Sequence, residues 1–250
     1  MGISRELIQS KFINQSMNKP HKRRNIHVSA IIPSYNEAKD ILNVLRPLKQ
    51  VPAIKKIIVV SDGSADGTDE LVKDYGGTKV ISLQQNLDKT KAVCRGVLES
   101  EYLTIMLCDA DLINLNETHI TDMIQKYCEG FDMVIMNKGS QPWIFRELVK
   151  SAPAVSGTRI FDKKHFERIP FLETDRFQFE IRINDYFLEN GFSITISPAD
   201  EIHDSRKYVK YPFIKGLILD LKGGFEILVS DGPSSILKNL ATFRKIKELS

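Results

Sequence analysis

The sequence predicts a single α/β domain built on a mixed, mainly parallel sheet flanked by helices, and three observations carry that expectation. From His27 onward, short β-branched runs alternate with amphipathic stretches, the pattern of consecutive βαβ units. The run Ile57-Ile58-Val59-Val60 is apolar without a break, as a strand covered on both faces must be. Polar loops at Pro33–Glu37, Asp62–Thr68 and Asp109–Asp111 each follow the carboxyl end of such a strand, where open α/β sheets place their ligands.

The elements follow in order. His27 to Ile32 reads as the first strand, and after the turn Pro33-Ser34-Tyr35-Asn36-Glu37 the apolar residues Ile41, Leu42, Leu45 and Leu48 recur at helical spacing. Lys56 to Val60 is the second strand, bounded by Ser61-Asp62-Gly63. A helix near Asp69 to Tyr75, with an N-cap at Thr68, leads to a strand at Lys79 to Ser82. The next helix, Lys89 to Leu98, carries Val93 and Val97 on one face; Tyr102 to Leu107 then runs straight into Cys108-Asp109-Ala110-Asp111. Thr118 to Cys128 shows a stripe of Ile120, Met123, Ile124 and Tyr127, and Met133 to Met136 forms another strand. Beyond Asn137 the pattern loosens, with a helix through Phe179, Ile183, Tyr186 and Phe187 that stops at Asn190-Gly191 before a strand at Ser193 to Ile196. From Tyr211 the chain is apolar but broken by Lys215, Asp220, Gly223-Gly224 and Pro233.

At 250 residues the chain accommodates one large domain over 26–210, with an N-terminal extension at 1–25 and a helical C-terminal extension at 211–250. A hydrophobic share of 42% supplies a core and excludes wholesale disorder. The net charge of +3 is too small for a dedicated nucleic-acid binder and suits a small anionic substrate or an anionic lipid surface. Cys94, Cys108 and Cys128 form no CxxC pair and leave one over, which argues against a disulfide framework or structural zinc and for a reducing, cytoplasmic location. Met1 to Lys19 has no signal-peptide core, and no apolar run reaches the roughly 20 residues that span a bilayer. Membrane contact, through the basic cluster His21-Lys22-Arg23-Arg24 or the C-terminal stretch, is therefore expected to be peripheral and at the cytoplasmic face.

Each loop also has a plain structural reading. Tyr35 suits stacking on a base and Glu37 suits hydrogen bonds to a base or ribose, while the same residues make an ordinary turn into a helix. Asp62 offers an acceptor to base or ribose donors, yet two Asp-Gly steps are also turn chemistry. Asp109 and Asp111, separated by Ala110 at a buried strand's exit, repel each other unless a cation lies between them. A hard ion, Mg²⁺ or Mn²⁺, shared with a diphosphate resolves that repulsion.

Together these loops, in this order, resemble the family-2 glycosyltransferases and their GT-A fold, including the branch acting on dolichyl or polyprenyl phosphate. Pro33 to Glu37 matches the family's P-x-Y-N-E loop and Asp62 to Thr68 its D-G-S-x-D-G-T loop, and the likeness covers His27 to about Lys210. The resemblance implies a UDP- or GDP-sugar donor bound by Pro33, Tyr35, Asn36, Glu37, Asp62, Ser64, Lys89, Asp109, Ala110 and Lys138, with Arg206 and Lys207 clamping the diphosphate. It implies a metal held by Asp109, Asp111 and His203, and catalytic roles among Asp111, Glu180, Asp175 and Arg159, the last within an S-G-x-R-x-F segment at Ser156 to Phe161.

Three departures qualify the likeness. Asn86-Leu87-Asp88-Lys89-Thr90 stands where the family has N-x-G-K-G, so both glycines are replaced. Lys138 stands where the lipid-phosphate branch has an arginine, a less bidentate phosphate partner. The E-D dipeptide that supplies many inverting members with a base is absent, Glu173-Thr174-Asp175 being the nearest match. A phosphate acceptor is already ionised and needs little base assistance, so a polyprenyl phosphate or similar acceptor is expected. The resemblance implies inversion, though a retaining relative acting on phosphoglycerate fits the same motifs. A sugar-nucleotide nucleotidyltransferase and a silent nucleotide-binding module are the alternatives, the first disfavoured because Pro33 to Glu37 is not the Gly-rich loop that cradles a triphosphate.

Overall fold

The computed structural model of the chain describes residues 26–138, 156–171 and 179–205. They form β1 (Val28–Ser34), α1 (Ile41–Gln50), β2 (Ile54–Asp62), α2 (Thr68–Tyr75), β3 (Lys79–Leu83), α3 (Lys89–Leu98), β4 (Thr104–Leu107) and β5 (Leu112–Ile113). There follow α4 (Glu117–Cys128), β6 (Met133–Lys138), β7 (Arg159–Asp162), α5 (Lys163–Phe166), α6 (Phe179–Glu189), β8 (Ile194–Ala199) and β9 (His203–Asp204). The extensions expected at 1–25 and 211–250 lie outside the described residues.

Seven strands make one sheet in the order β3-β2-β1-β4-β7-β6-β8, and β5 pairs with β9 in a second, small one. β7 runs antiparallel to both β4 and β6, while the other neighbours are parallel, which is the mixed, mainly parallel sheet expected. Successive side chains of a strand point to opposite faces, so β1 divides the core. Ala30 and Ile32 join the cluster with Ile41, Val44, Leu45, Ile120 and Met123 under α1 and α4. Ile31 joins the other, with Val93, Val97, Ile105, Phe179, Ile183 and Phe187 under α3 and α6. Each such side chain taken fully from water contributes about 1.5–3 kcal/mol. On α3, Gly96 brings the helix directly onto the sheet, since a Cβ there would stand 2.5 Å from Ile31 Cγ2.

The helix expected to stop at Asn190-Gly191 does so, with Gly191 in the left-handed region at φ 69°. Other details differ. β1 continues through Pro33 to Ser34, and the proline is tolerated for a reason that the register gives. β4 leaves its pairing at Leu107, opposite Ile31, so the neighbour that a Pro33 N–H would have served is already gone. Thr68 is the first residue of α2 rather than its cap; its N–H donates to Asp66 Oδ1 at 3.1 Å. β7 goes beyond the strands expected, as do β5 and β9, whose two residues are too few to show a periodicity.

Candidate active site

β1 leads to β2 on one side while β4 lies on the other, so a crevice opens at the carboxyl ends of β1 and β4, where the strand order reverses. The polar loops converge there. The Asn36 N–H donates to Ser64 Oγ at 3.0 Å, and the Ala65 N–H donates to Asn36 Oδ1 at 2.9 Å. The Glu37 N–H donates to Thr68 Oγ1 and the Ala38 N–H to Asp66 Oδ2, each at 3.0 Å. The polar residues of the first two loops are thus one another's partners, and Asn36 accepts the required left-handed φ of 55°. Tyr35 is left 40% exposed.

Asp62, expected to meet a base or ribose, uses its two oxygens to accept the N–H groups of Leu87 at 2.8 Å and Asp88 at 3.0 Å. It therefore holds the loop before α3. Gly63 has no alternative there, since a Cβ would stand 2.6 Å from Asn86 N and its φ is +72°. Asp88, one of the glycine replacements, takes φ 120° and ψ 163°, a conformation essentially reserved for glycine. Its side chain offsets part of that strain by accepting the Lys91 N–H at 3.0 Å and capping α3.

The loop so held delivers Lys89 into the crevice, where an alternating row of charges forms. Lys89 Nζ donates to Glu180 Oε1 at 2.7 Å and to Asp109 Oδ1 at 2.8 Å. Lys138 Nζ donates to Asp109 Oδ2 at 3.0 Å and to Asp204 Oδ1 at 2.5 Å. Burial opposes ionisation of Asp109, but Lys89 and Lys138 outweigh it and hold the carboxyl well below the usual range. Burial likewise works against both ammonium groups, and the flanking carboxylates keep them charged far above neutral pH. The charge of Asp109 is thus offset by two lysines.

Gly157 shows how closely the chain wraps this row. A Cβ there would fall 2.1 Å from Asp109 Oδ1 and 2.5 Å from Lys89 Nζ, so only glycine fits. The adjoining Thr158 Oγ1 accepts the Asp109 N–H at 3.4 Å. Arg159, expected among the catalytic residues, is wholly buried. Its guanidinium donates to Asn184 Oδ1 at 3.0 Å, to the Glu180 carbonyl at 3.3 Å and to the Ser156 carbonyl. Burial lowers its pKa to about 10, so it is still a cation at neutral pH, and it acts by tying α6 to the Gly157 segment.

Ala110 is buried in the core, and β5 begins immediately after Asp111. Pairing of Ile113 with His203 and of Leu112 with Asp204, together with a Ser205 N–H bond to the Asp111 carbonyl at 2.8 Å, brings β9 beside the acidic turn. The β8–β9 turn is fixed in place by His119, whose Nε2 lies 2.7 Å from Glu201 Oε1. Among the described residues no three His, Cys, Asp or Glu side chains converge at metal-ligand spacing, so Asp109, Asp111 and His203 do not form a closed metal site. The donor set fits an ion that arrives with phosphate oxygens, as Mg²⁺ does when one or two carboxylates hold it. Asp175, Arg206 and Lys207 lie outside the described residues. Sequence reasoning missed Asp204 and gave Gly157 no role of its own; Asp204 adjoins the singled-out His203, and its Lys138 contact needs the β5–β9 pairing to be seen.

The family model described as Glycosyl transferase family 2 matches residues 29–192. An undecaprenyl-phosphate 4-deoxy-4-formamido-L-arabinose transferase of Aeromonas hydrophila is 24% identical over 204 residues, 72% of this chain and 62% of that protein. A dolichyl-phosphate beta-glucosyltransferase of Dictyostelium discoideum is 32% identical over 102 residues, 35% of this chain and 31% of that protein. The chain thus spans less than two thirds of either relative. Among solved structures, glucosyl-3-phosphoglycerate synthase of Mycobacterium tuberculosis with Mn²⁺, UDP and phosphoglyceric acid superposes with a TM-score of 0.62 at 19% identity, over 77% of this chain and 78% of that one.

Proposed function

The chain belongs to glycosyl transferase family 2, and from that premise we propose that it moves a sugar from a nucleoside diphosphate donor to a phosphate-bearing acceptor, assisted by a divalent ion. One observation carries the reading: an exposed aromatic ring follows β1, the Asp111 turn follows β4, and Lys89 and Lys138 pair with Asp109 in that same turn. The donor base stacks on Tyr35. The diphosphate extends towards Asp111, where a bound Mg²⁺ or Mn²⁺ supplies Lewis-acid neutralisation of the departing group. Asp111 and His203 are the residues that would hold it. Lys138 and Lys89 give fixed positive charge close to the phosphates, which matters most as the nucleoside diphosphate leaves. Arg159 and Gly157 keep Glu180, Lys89 and Asp109 in place, so the charged row need not reorganise during transfer.

A phosphate-bearing acceptor is supported by the compared proteins, whose names or bound ligands share undecaprenyl phosphate, dolichyl phosphate or phosphoglyceric acid. An ionised phosphate oxygen attacks the anomeric carbon without a strong base, consistent with Glu180 being engaged in an ion pair with Lys89. Among the described residues no helix is long and apolar enough to cross a membrane. Work at the cytoplasmic face of a membrane, on a lipid phosphate presented there, is part of the same proposal. The test is transfer of labelled sugar from a panel of UDP- and GDP-sugars, with Mn²⁺ or Mg²⁺, to undecaprenyl phosphate in vesicles or to phosphoglycerate. Labelled glycosyl phosphate formed by the wild type and lost in Asp111→Asn is expected. Donor binding with no transfer to any phosphate acceptor would instead favour a silent module, and pyrophosphate released from a nucleoside triphosphate would favour a nucleotidyltransferase.

A further inference from the structure

Lys138, at the carboxyl end of β6, is shared by two carboxylates that are held very differently. Asp109 is 14% exposed and bound a second time by Lys89. Asp204 is 44% exposed and sits on a two-residue strand. The ammonium between them is only 8% exposed, so it requires anionic company at all times. A carboxylate with nearly half its surface in water contributes little to a pair and is the partner that an incoming anion displaces at least cost.

We propose that Lys138 is the anion point of a phosphate subsite which Asp204 occupies when no substrate is bound, and which Asp204 vacates when a diphosphate enters. The identity of that anion rests on the donor reading above. The geometry gives the exchange a short path. Asp204 pairs across from Leu112, the residue after Asp111, so subsite and acidic turn share one small sheet. An arriving phosphate would otherwise meet Asp109, Asp111 and Asp204 together, and release of the most exposed carboxylate on Lys138 removes the direct competitor. The arrangement also sets affinity, because a ligand that needs Lys138 sees only the fraction of molecules in which Asp204 has let go.

Asp204→Asn tests this with the main-chain pairing of β5 and β9 left intact. Calorimetric titration with UDP plus Mn²⁺, with GDP plus Mn²⁺, and with inorganic pyrophosphate should show Kd about fivefold lower in the variant. In a Lys138→Met background the gain should vanish, so that Lys138→Met and the double variant bind with the same weakened affinity or both fail to bind. Unchanged or weaker binding in Asp204→Asn overturns the proposal, as does absence of binding by all three anions. A gain that persists in the Lys138→Met background also overturns it, since that outcome reflects only the general field of a removed charge. Tighter pyrophosphate without nucleotide binding keeps the subsite and sinks the donor reading. Nucleotide binding indifferent to Asp204 does the reverse.

Discussion

Substituting Gly157 with alanine puts one methyl group into the centre of the charged row. The new Cβ would lie 2.1 Å from Asp109 Oδ1, 2.8 Å from Asp109 Cγ and 2.5 Å from Lys89 Nζ. Carbon and oxygen come to rest about 3.3–3.6 Å apart, so one partner must retreat by roughly 1 Å or more. Retreat of the Asp109 carboxylate strains its bonds to Lys89 and Lys138, the Thr158 hydroxyl holding only the main-chain N–H. Lys89 Nζ, at 2.5 Å, must move as well, which separates its ammonium from Asp109 and Glu180. Overpacking of this kind costs about 1–3 kcal/mol, and the backbone adds nothing because the φ of Gly157 lies outside the left-handed region. With a urea m-value of about 2–3 kcal/mol/M, a loss of ~2 kcal/mol lowers the unfolding midpoint by ~0.7–1 M. Equilibrium urea unfolding measures this directly, and transfer should fall in parallel because Lys89 no longer faces the donor. A Gly157→Ala protein with an unchanged midpoint and unchanged activity would refute the close approach.

Two further perturbations follow from strain and burial. Asp88→Gly relieves a conformation that costs about 1–3 kcal/mol, while replacing an Asp cap by Gly loses only a few tenths of a kcal/mol. After the chain-entropy cost of glycine, a net gain of up to ~1 kcal/mol is expected in urea unfolding, and destabilisation would contradict the strained geometry. His165 is buried against Phe192 and Phe187 with its Nδ1 unpartnered, and burial, then Lys164, lowers its pKa below the ordinary 6.5. The unfolded chain then binds more protons than the native state below about pH 6.5, so this contribution to stability is full above that value and declines as pH falls. His165→Phe should flatten the fall in Tm between about pH 7 and pH 5; an identical slope in both proteins would exclude the buried neutral imidazole.

Much of the fold was legible because β1, β2 and β4 are covered on both faces and so carry the apolar runs Ala30–Ile32, Ile57–Val60 and Ile105–Leu107 just before polar loops. β7 was not, because its fully buried arginine disguises an interior strand as a polar segment. The motif likeness identified Lys89, Asp109, Lys138 and Glu180 as site residues from loops far apart in sequence. Their mutual pairing was not legible, since it depends on side-chain placement across β4, β6 and α6 rather than on any spacing. The glycine replacement at Asp88 suggests a lost close approach, yet the backbone keeps a glycine-like conformation and the side chain caps the helix. Substituting a motif letter need not change the conformation that the letter encodes.

Calorimetric titration of UDP and GDP into the protein, with and without Mn²⁺, probes the crevice most directly when wild type is set beside Tyr35→Ala and Asp111→Asn. One nucleotide should bind, more tightly with the metal, and Tyr35→Ala should weaken it by about 1–3 kcal/mol under both conditions. Asp111→Asn should abolish the increment due to Mn²⁺ while leaving metal-free binding in place. Failure of both nucleotides to bind, or a full Mn²⁺ increment in Asp111→Asn, would contradict a donor seated between β1 and β4.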